Sequence, residues 1–257
     1  MKECHTQNGA VRKLFSDTSR QYAGLFSQRK TGKNFLFQRR LSLARAAAGE
    51  STGRLFDCAT GSGEISTAIL TAGKFEEATL LDLSPQMLEL TAAQLRKLFA
   101  GNKEPKINLV CDDVFHFALE NAHCKYDLVV CLGLIAHTGR LPELLKLLRA
   151  LLAKNATILL QSTLLDHWGA RVERWLGEER YFRKHGYRIK HFSHRDIESA
   201  CADAGLRIAA IRRYAVGLPF GDRLWGWGNY QLERVFQSWA DAHGAEAIYI
   251  LKSDAAA

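Results

Sequence analysis

Four carboxylates and one imidazole stand where a chain would place chemistry. Asp57 closes the apolar run Leu55-Phe56 and precedes the small-residue stretch Cys58-Ala59-Thr60-Gly61-Ser62-Gly63, with Glu64 next. Small residues let backbone approach a ligand closely, and a helix opening there offers free N–H groups. Gly61-Ser62-Gly63-Glu64-Ile65-Ser66 half-matches G-x-G-x-x-G, so a dinucleotide is one candidate ligand. Asp57 argues against it, because a carboxylate ahead of the glycines repels a pyrophosphate and attracts an ammonium or sulfonium cation. Asp82 closes the next apolar run, 21 positions after Gly61, within Leu81-Asp82-Leu83-Ser84-Pro85-Gln86-Met87. An acid there can accept from both hydroxyls of a ribose. Asp112-Asp113 follow a third run, and His137 stands beyond a fourth, Asp127 to Leu132. An imidazole with an ordinary pKa of about 6.5 takes a proton at neutral pH.

These groups work together only if strand ends converge. The short apolar runs 54–58, 78–82, 107–111, 127–132 and 156–161 read as buried strands, with helices expected at 63–73, 85–100, 113–121 and 142–153. That alternation is the pattern of βαβ units on a parallel sheet. Ser84-Pro85 is an N-cap followed by proline in the first turn. Leu141, Leu144, Leu145, Leu148, Leu151 and Leu152 make one apolar stripe, assigned to the core. After Thr163 the pattern changes. A helix is predicted at about 165–185, a capping box Ser193-His194-Arg195-Asp196 opens another that Gly205 stops, and strands follow at 206–214 and 247–251 around an aromatic helix at 222–243. Residues 10–48 read as two helices broken near Thr31-Gly32. The reading is one α/β domain over 49–257 with a helical cover over 1–48 and late insertions at about 164–192 and 215–244.

Composition bounds the partners. The 257 residues carry a formal +8, and residues 1–45 hold ten Lys and Arg against two acids, so the remainder balances at 25 against 25. A basic coat for nucleic acid is therefore not expected over the body. No run of about 18 uncharged apolar residues occurs, so no spanning helix is expected, and the polar start lacks an apolar leader core. Six cysteines without C-x-x-C spacing read as reduced thiols of a cytoplasmic protein. Metal is not expected, since His185, His191 and His194 lack a helical ligand spacing with a flanking acid.

Asp57-x-Ala59-x-Gly61-x-Gly63, Asp82-x-Ser84-x-x-Met87 and Asp112-Asp113 together resemble the class I S-adenosylmethionine-dependent methyltransferases, over about 54–163. The resemblance implies a Rossmann-like, doubly wound, mostly parallel seven-stranded sheet with the last strand antiparallel, and S-adenosylmethionine as cofactor. It implies that Gly61 and Gly63 line the methionine portion, that Asp57 sits near its amino group and that Asp82, beside Leu83, holds the ribose. Asp113, or Asp112, would reach the adenine amino group, with the Val114 N–H beside the ring and Cys131 at the end of the fourth strand. Ala59 stands where the family usually has its first glycine, so the turn there must avoid positive φ.

The strand and loop from Asp127 to Thr138 are similar to those of ubiquinone-pathway and magnesium-porphyrin O-methyltransferases, which place a histidine where this chain has His137. Ala136 replaces a glutamate usual in the former. His137 is read either as a base toward a phenol, enol or carboxylic acid, or as a loop-fixing residue. No Asn/Asp-Pro-Pro-aromatic run is present, which counts against methylation of adenine or cytosine amino groups. Tyr22, in Phe15-x-x-x-Ser19-x-x-Tyr22 with Phe26 beyond, is read as a lid residue at the site, as part of a packing face, or both. Aromatic residues of the late insertions would wall an acceptor pocket. Residues 171–195 carry eight basic residues against three acids, which suits an anionic acceptor, a lipid headgroup or a solvated helix face. The expected activity is methyl transfer to a small-molecule acceptor, at oxygen, with nitrogen or carbon methylation or an RNA substrate as the alternatives.

Overall fold

The computed structural model describes the backbone of residues 2–49, 51–101 and 104–254, with side chains from residue 7 onward. Strands β1 (Thr52–Asp57), β2 (Lys74–Asp82), β3 (Lys106–Cys111), β4 (Tyr126–Cys131), β5 (Leu152–Thr163), β6 (Leu206–Tyr214) and β7 (Glu246–Ser253) form one sheet in the order β3-β2-β1-β4-β5-β7-β6. Pairing is parallel from β3 through β5, and β7 runs antiparallel to both β5 and β6. The fold class expected from the resemblance is the one observed. Leu55, Phe56, Leu80, Leu128, Val129, Ile158 and Leu160 are fully buried, because helices cover both sheet faces. Winding reverses between β1 and β4, and an open α/β sheet binds ligands outside the strand ends at such a point.

Eleven α-helices are described: α1 (Lys2–Ala23), α2 (Gly32–Ala48), α3 (Glu64–Ala72), α4 (Pro85–Leu98), α5 (Val114–Glu120), α6 (Ile135–Thr138), α7 (Leu141–Ala150), α8 (Trp168–His185), α9 (His194–Asp203), α10 (Gly221–Val235) and α11 (Gln237–His243). Their starts follow local chemistry. Ser84 accepts from the Met87 N–H to cap α4, Asp113 accepts from Phe115 and His116 to cap α5, and Ser193 with Asp196 forms the expected capping box of α9. Thr31 caps α2 through the Asn34 N–H. Ala44 and Ala48 of α2 have no exposed surface and share a buried cluster with Leu55, Ile69 and Leu128, so α2 is built into the body. By contrast α1 lies across α4, where Ser16 and Ser84 hydroxyls meet at 3.0 Å.

Several element boundaries differ from the sequence reading, β2 beginning at Lys74 where 78 was expected and β5 running over Leu152–Thr163 where 156–161 was expected. The helix expected at 142–153 ends at Ala150, where Leu151 N–H turns back to Leu148, and Leu152 already pairs with Tyr126 as the start of β5. Leu151 and Leu152 are buried in either conformation, so the apolar stripe could not mark the exit. The single helix expected at 222–243 is α10 and α11, divided at Phe236, and α10 kinks at Gly226 with φ +30°. Upstream, the helix expected from residue 10 begins at Lys2, and the break spans a 3-10 turn at Gly24–Phe26 through Thr31. Cys58, Cys111, Cys124, Cys131 and Cys201 are free thiols, and the Cys4 side chain lies outside the described residues.

Candidate active site

The loop from β1 to α3 is held by its own side chains. Asp57 accepts from Ser66 Oγ at 2.6 Å and from the Ala59 N–H at 3.2 Å, and the Thr60 and Ser66 hydroxyls meet at 2.5 Å. Burial pushes the Asp57 carboxyl up to about 6 despite those two donors, with nearby Asp82 pushing the same way. Asp82 ties this loop to the next: Oδ2 accepts from the Gly61 N–H and Oδ1 from the Ser84 N–H, both at 2.8 Å. Each oxygen keeps a lone pair for a ligand hydroxyl. Burial raises the Asp82 pKa as well. Ala59 is not among the positive-φ residues, as the sequence required, while Gly61 is, at +58°.

A cleft runs over these strand ends. Its walls include Ala59, Gly61, Asp82, Leu83, Asp113 and Val114 on one side and Leu132, Gly133 and His137 on the other, with Phe15 and Tyr22 of α1 above. Helix α1 is latched there by Asn8 Nδ2, which donates to Asp113 Oδ2 at 2.9 Å. Asp113 therefore caps α5 with one oxygen and receives the cover with the other. Tyr22 meets Phe15, Phe26 and Phe37 edge to face, and a Cβ on Gly61 would stand 3.4 Å from its ring. Tyr22 is part of a packing face and also lines the cleft.

Three sequence-predicted ligand residues do not line the cleft, and of these Asp57 borders a narrow recess beside it. Gly63 has φ +90° and abuts α4, where a Cβ would lie 2.9 Å from Thr91 Cα; this glycine permits close helix packing and a left-handed start to α3. Cys131 is fully buried and packs against Cys58 in the core, so Leu132 and Gly133 face the cleft in its place.

His137 lies in α6, a one-turn helix where the sequence reading had only a loop. Its Nδ1 is 2.8 Å from Tyr187 Oη, which is 2.8 Å from Tyr181 Oη. Burial raises both tyrosine hydroxyls, so Tyr187 is a neutral phenol that can accept from Nδ1–H or donate to Nδ1. In the tautomer that carries its proton on Nδ1, Nε2 holds the lone pair. Burial brings the imidazole down to about 4, so it is neutral at physiological pH.

A second chamber of about 230 Å³ adjoins the cleft and shares Phe15, Tyr22, Gly133 and His137 with it. Arg40 of α2 lines this chamber, and it also lines a narrow recess beside Asp57. Its guanidinium donates to Tyr214 Oη and Glu246 Oε2, both at 2.9 Å, and Gln161 links Glu246 to the Gly133 N–H. His191, also on the chamber wall, has a buried Nδ1 without a hydrogen-bond partner among the described residues. Sequence reasoning missed Arg40, Gln161 and His191 and named Tyr187 only as a wall aromatic. Arg40, Gln161 and Tyr187 find partners far along the chain, so no local motif marks them.

Strand-end acids at the switch point, in a sheet whose β7 is reversed, define the class I S-adenosylmethionine-dependent methyltransferases. The family described as a methyltransferase domain matches residues 29–211, and the chain belongs to it. Among solved structures, the fold is similar to magnesium protoporphyrin IX methyltransferase ChlM from Synechocystis PCC 6803 with bound SAH, at 16% identity, 96% of this chain and 99% of that one, and a TM-score of 0.64. It is also similar to a possible histamine N-methyltransferase from Thermotoga maritima, at 15% identity, covering 95% and 99%, with a TM-score of 0.63. The cyclopropane synthase MmaA2 from Mycobacterium tuberculosis is 12% identical over 89% and 88%, with a TM-score of 0.61. A comparison with curated proteins gives no match.

Proposed function

We propose that this enzyme methylates an oxygen of a small, acidic or phenolic molecule. The observation that carries the reading is His137, neutral and held through Nδ1 by Tyr187 where the cleft meets the second chamber. Asp57 and Arg40, a carboxylate and a guanidinium bounding one recess, suit the ammonium and carboxylate of the cofactor's methionine end. Asp82 suits the ribose hydroxyls, with Leu83 and Val114 beside the nucleoside and Asp113 toward the adenine amino group. Bound S-adenosylmethionine supplies a methyl group on a sulfonium centre.

The residues of the chain do the rest by positioning. His137 Nε2 takes the acceptor's O–H proton, and Tyr187 fixes the ring so that the lone pair faces the chamber. Tyr22 and Phe15 close the site against water. The His191 Nδ1, without a hydrogen-bond partner among the described residues, gives an acceptor a group to orient on. The test is a screen of metabolite extracts with methyl-labelled S-adenosylmethionine, followed by identification of the labelled atom. Label on oxygen is expected; label on nitrogen or carbon overturns the oxygen assignment and reduces His137 to an orienting residue.

A further inference from the structure

All five tryptophans of the chain are exposed, between 42% and 82%, and all lie in α8, α10 and α11. Tryptophan is ordinarily among the more buried residue types, so five together on one set of helices require an explanation. Helix α8 is held to the body at its buried Gly169 and Ala170 and through Tyr181, and most of its other residues are exposed. Trp168, Trp175 and Phe182 follow at intervals of seven, which places them on one exposed stripe. Arg171, whose Nε donates to Leu165 O, and Arg183 lie to either side of it at helical spacing; Glu178 and Glu179 border it too, and α8 as a whole carries five Lys and Arg against three Glu. On α10, Arg223, Leu224, Trp225 and Trp227 are exposed together around the Gly226 kink.

The two helices are joined where the Phe220 N–H donates to Glu173 at 3.0 Å. A cavity of about 540 Å³ lies between them and shares Phe37, Arg40 and Thr163 with the acceptor chamber. Indole rings beside guanidinium groups are the side chains that settle at a membrane interface, the ring at headgroup depth and the cation on anionic lipid. Among the described residues no helix is long and apolar enough to cross a membrane, so attachment here would be to the surface.

We propose that α8, α10 and α11 form a docking surface for an anionic lipid bilayer, with the cavity between α8 and α10 at the contact. Docking itself does not depend on methyl transfer. The experiment is flotation of the full chain with vesicles of phosphatidylcholine alone or with added phosphatidylglycerol, without cofactor. The protein should float with the anionic vesicles, less with the zwitterionic ones and less as salt rises, while its tryptophan emission shifts to the blue.

A combined Trp175→Ala, Trp225→Ala and Trp227→Ala variant should lose at least about tenfold in partition, because binding scales with the apolar area inserted. Its circular dichroism and thermal midpoint should be unchanged. Charge reversal at Arg171 and Arg183 to Glu should weaken binding to the anionic vesicles in particular. Wild-type protein that stays with the pellet, or a triple variant that floats as well as wild type, overturns the proposal. So does a wild-type dimer in sedimentation equilibrium that the triple variant dissolves, since the surface then belongs to a second copy of the chain.

Discussion

Asp57 and His137 depart from their ordinary pKa values in opposite directions for the same reason, which is that burial penalises the charged form. For Asp57, raised to about 6, the ionised form that would hold an ammonium predominates only above that pH. Affinity for S-adenosylmethionine should fall as pH drops from 7 through 6 to 5, with proton release on binding near pH 6, measured by calorimetry in buffers of different ionisation enthalpy. Asp57→Asn should flatten the dependence and weaken binding by about 2 kcal/mol. For His137, lowered to about 4, the base is neutral from pH 5 upward, so the acidic limb of kcat/KM should lie near 4 and not near 6.5. His137→Gln should lower kcat by about a hundredfold or more, and full turnover by that variant across pH 6 to 9 would remove the base role. The acids were legible in the sequence because each ends an apolar strand and is placed by its own few neighbours. Tyr187, 50 residues from His137, was not, because only the packing of the late insertion brings it there.

Among the elements, α1 and α2 look alike in sequence and differ in what they hold. Helix α1 touches the body through the Asn8 to Asp113 latch, the Ser16 to Ser84 contact and the Phe15 and Tyr22 rings over the cleft. Removing residues 1–23 should leave circular dichroism and thermal unfolding of the body nearly unchanged while speeding cofactor dissociation, seen by stopped-flow fluorescence. Removing residues 1–48 takes Ala44, Ala48 and Arg40 from the interior and should yield insoluble protein. Arg40 can be tested alone. It bridges α2 to Glu246 of β7, 206 residues away, in a largely buried ion pair with Tyr214. Arg40→Met leaves Glu246 without its cation and should cost about 3 kcal/mol in urea unfolding, with Glu246→Gln in the same chain recovering part of the loss. Element types were legible from periodicity, whereas the end of α7 and the division of α10 from α11 were not. There, apolar residues stay buried across a turn, and pattern alone carries no signal of where the helix stops.

For the whole molecule, the formal +8 has been divided by the fold. Of the ten basic residues in 1–45, Arg40 is committed to Glu246, Arg39 to Asp241 and Lys13 to Asp17. Arg29 and Lys30 remain exposed on the connection between α1 and α2, and Lys33 borders the cavity between α8 and α10. Replacing all three with Gln should raise KM for an anionic acceptor a few-fold at low salt, leave cofactor Kd alone, and lose its effect as salt screens the charges. An unchanged KM would limit the segment to packing.

The reversed strand β7 carries a consequence for how the molecule comes into being. It follows β6 in the chain yet lies between β6 and β5, so β6 has no partner in the sheet until β7 has arrived. During synthesis the ribosome must therefore deliver everything through residue 253 before this half of the sheet can close, and until then β5 presents an open, apolar edge. A nascent chain stalled after β6 would be a client for chaperones, and premature stop codons late in the gene should give aggregates and not shortened enzymes.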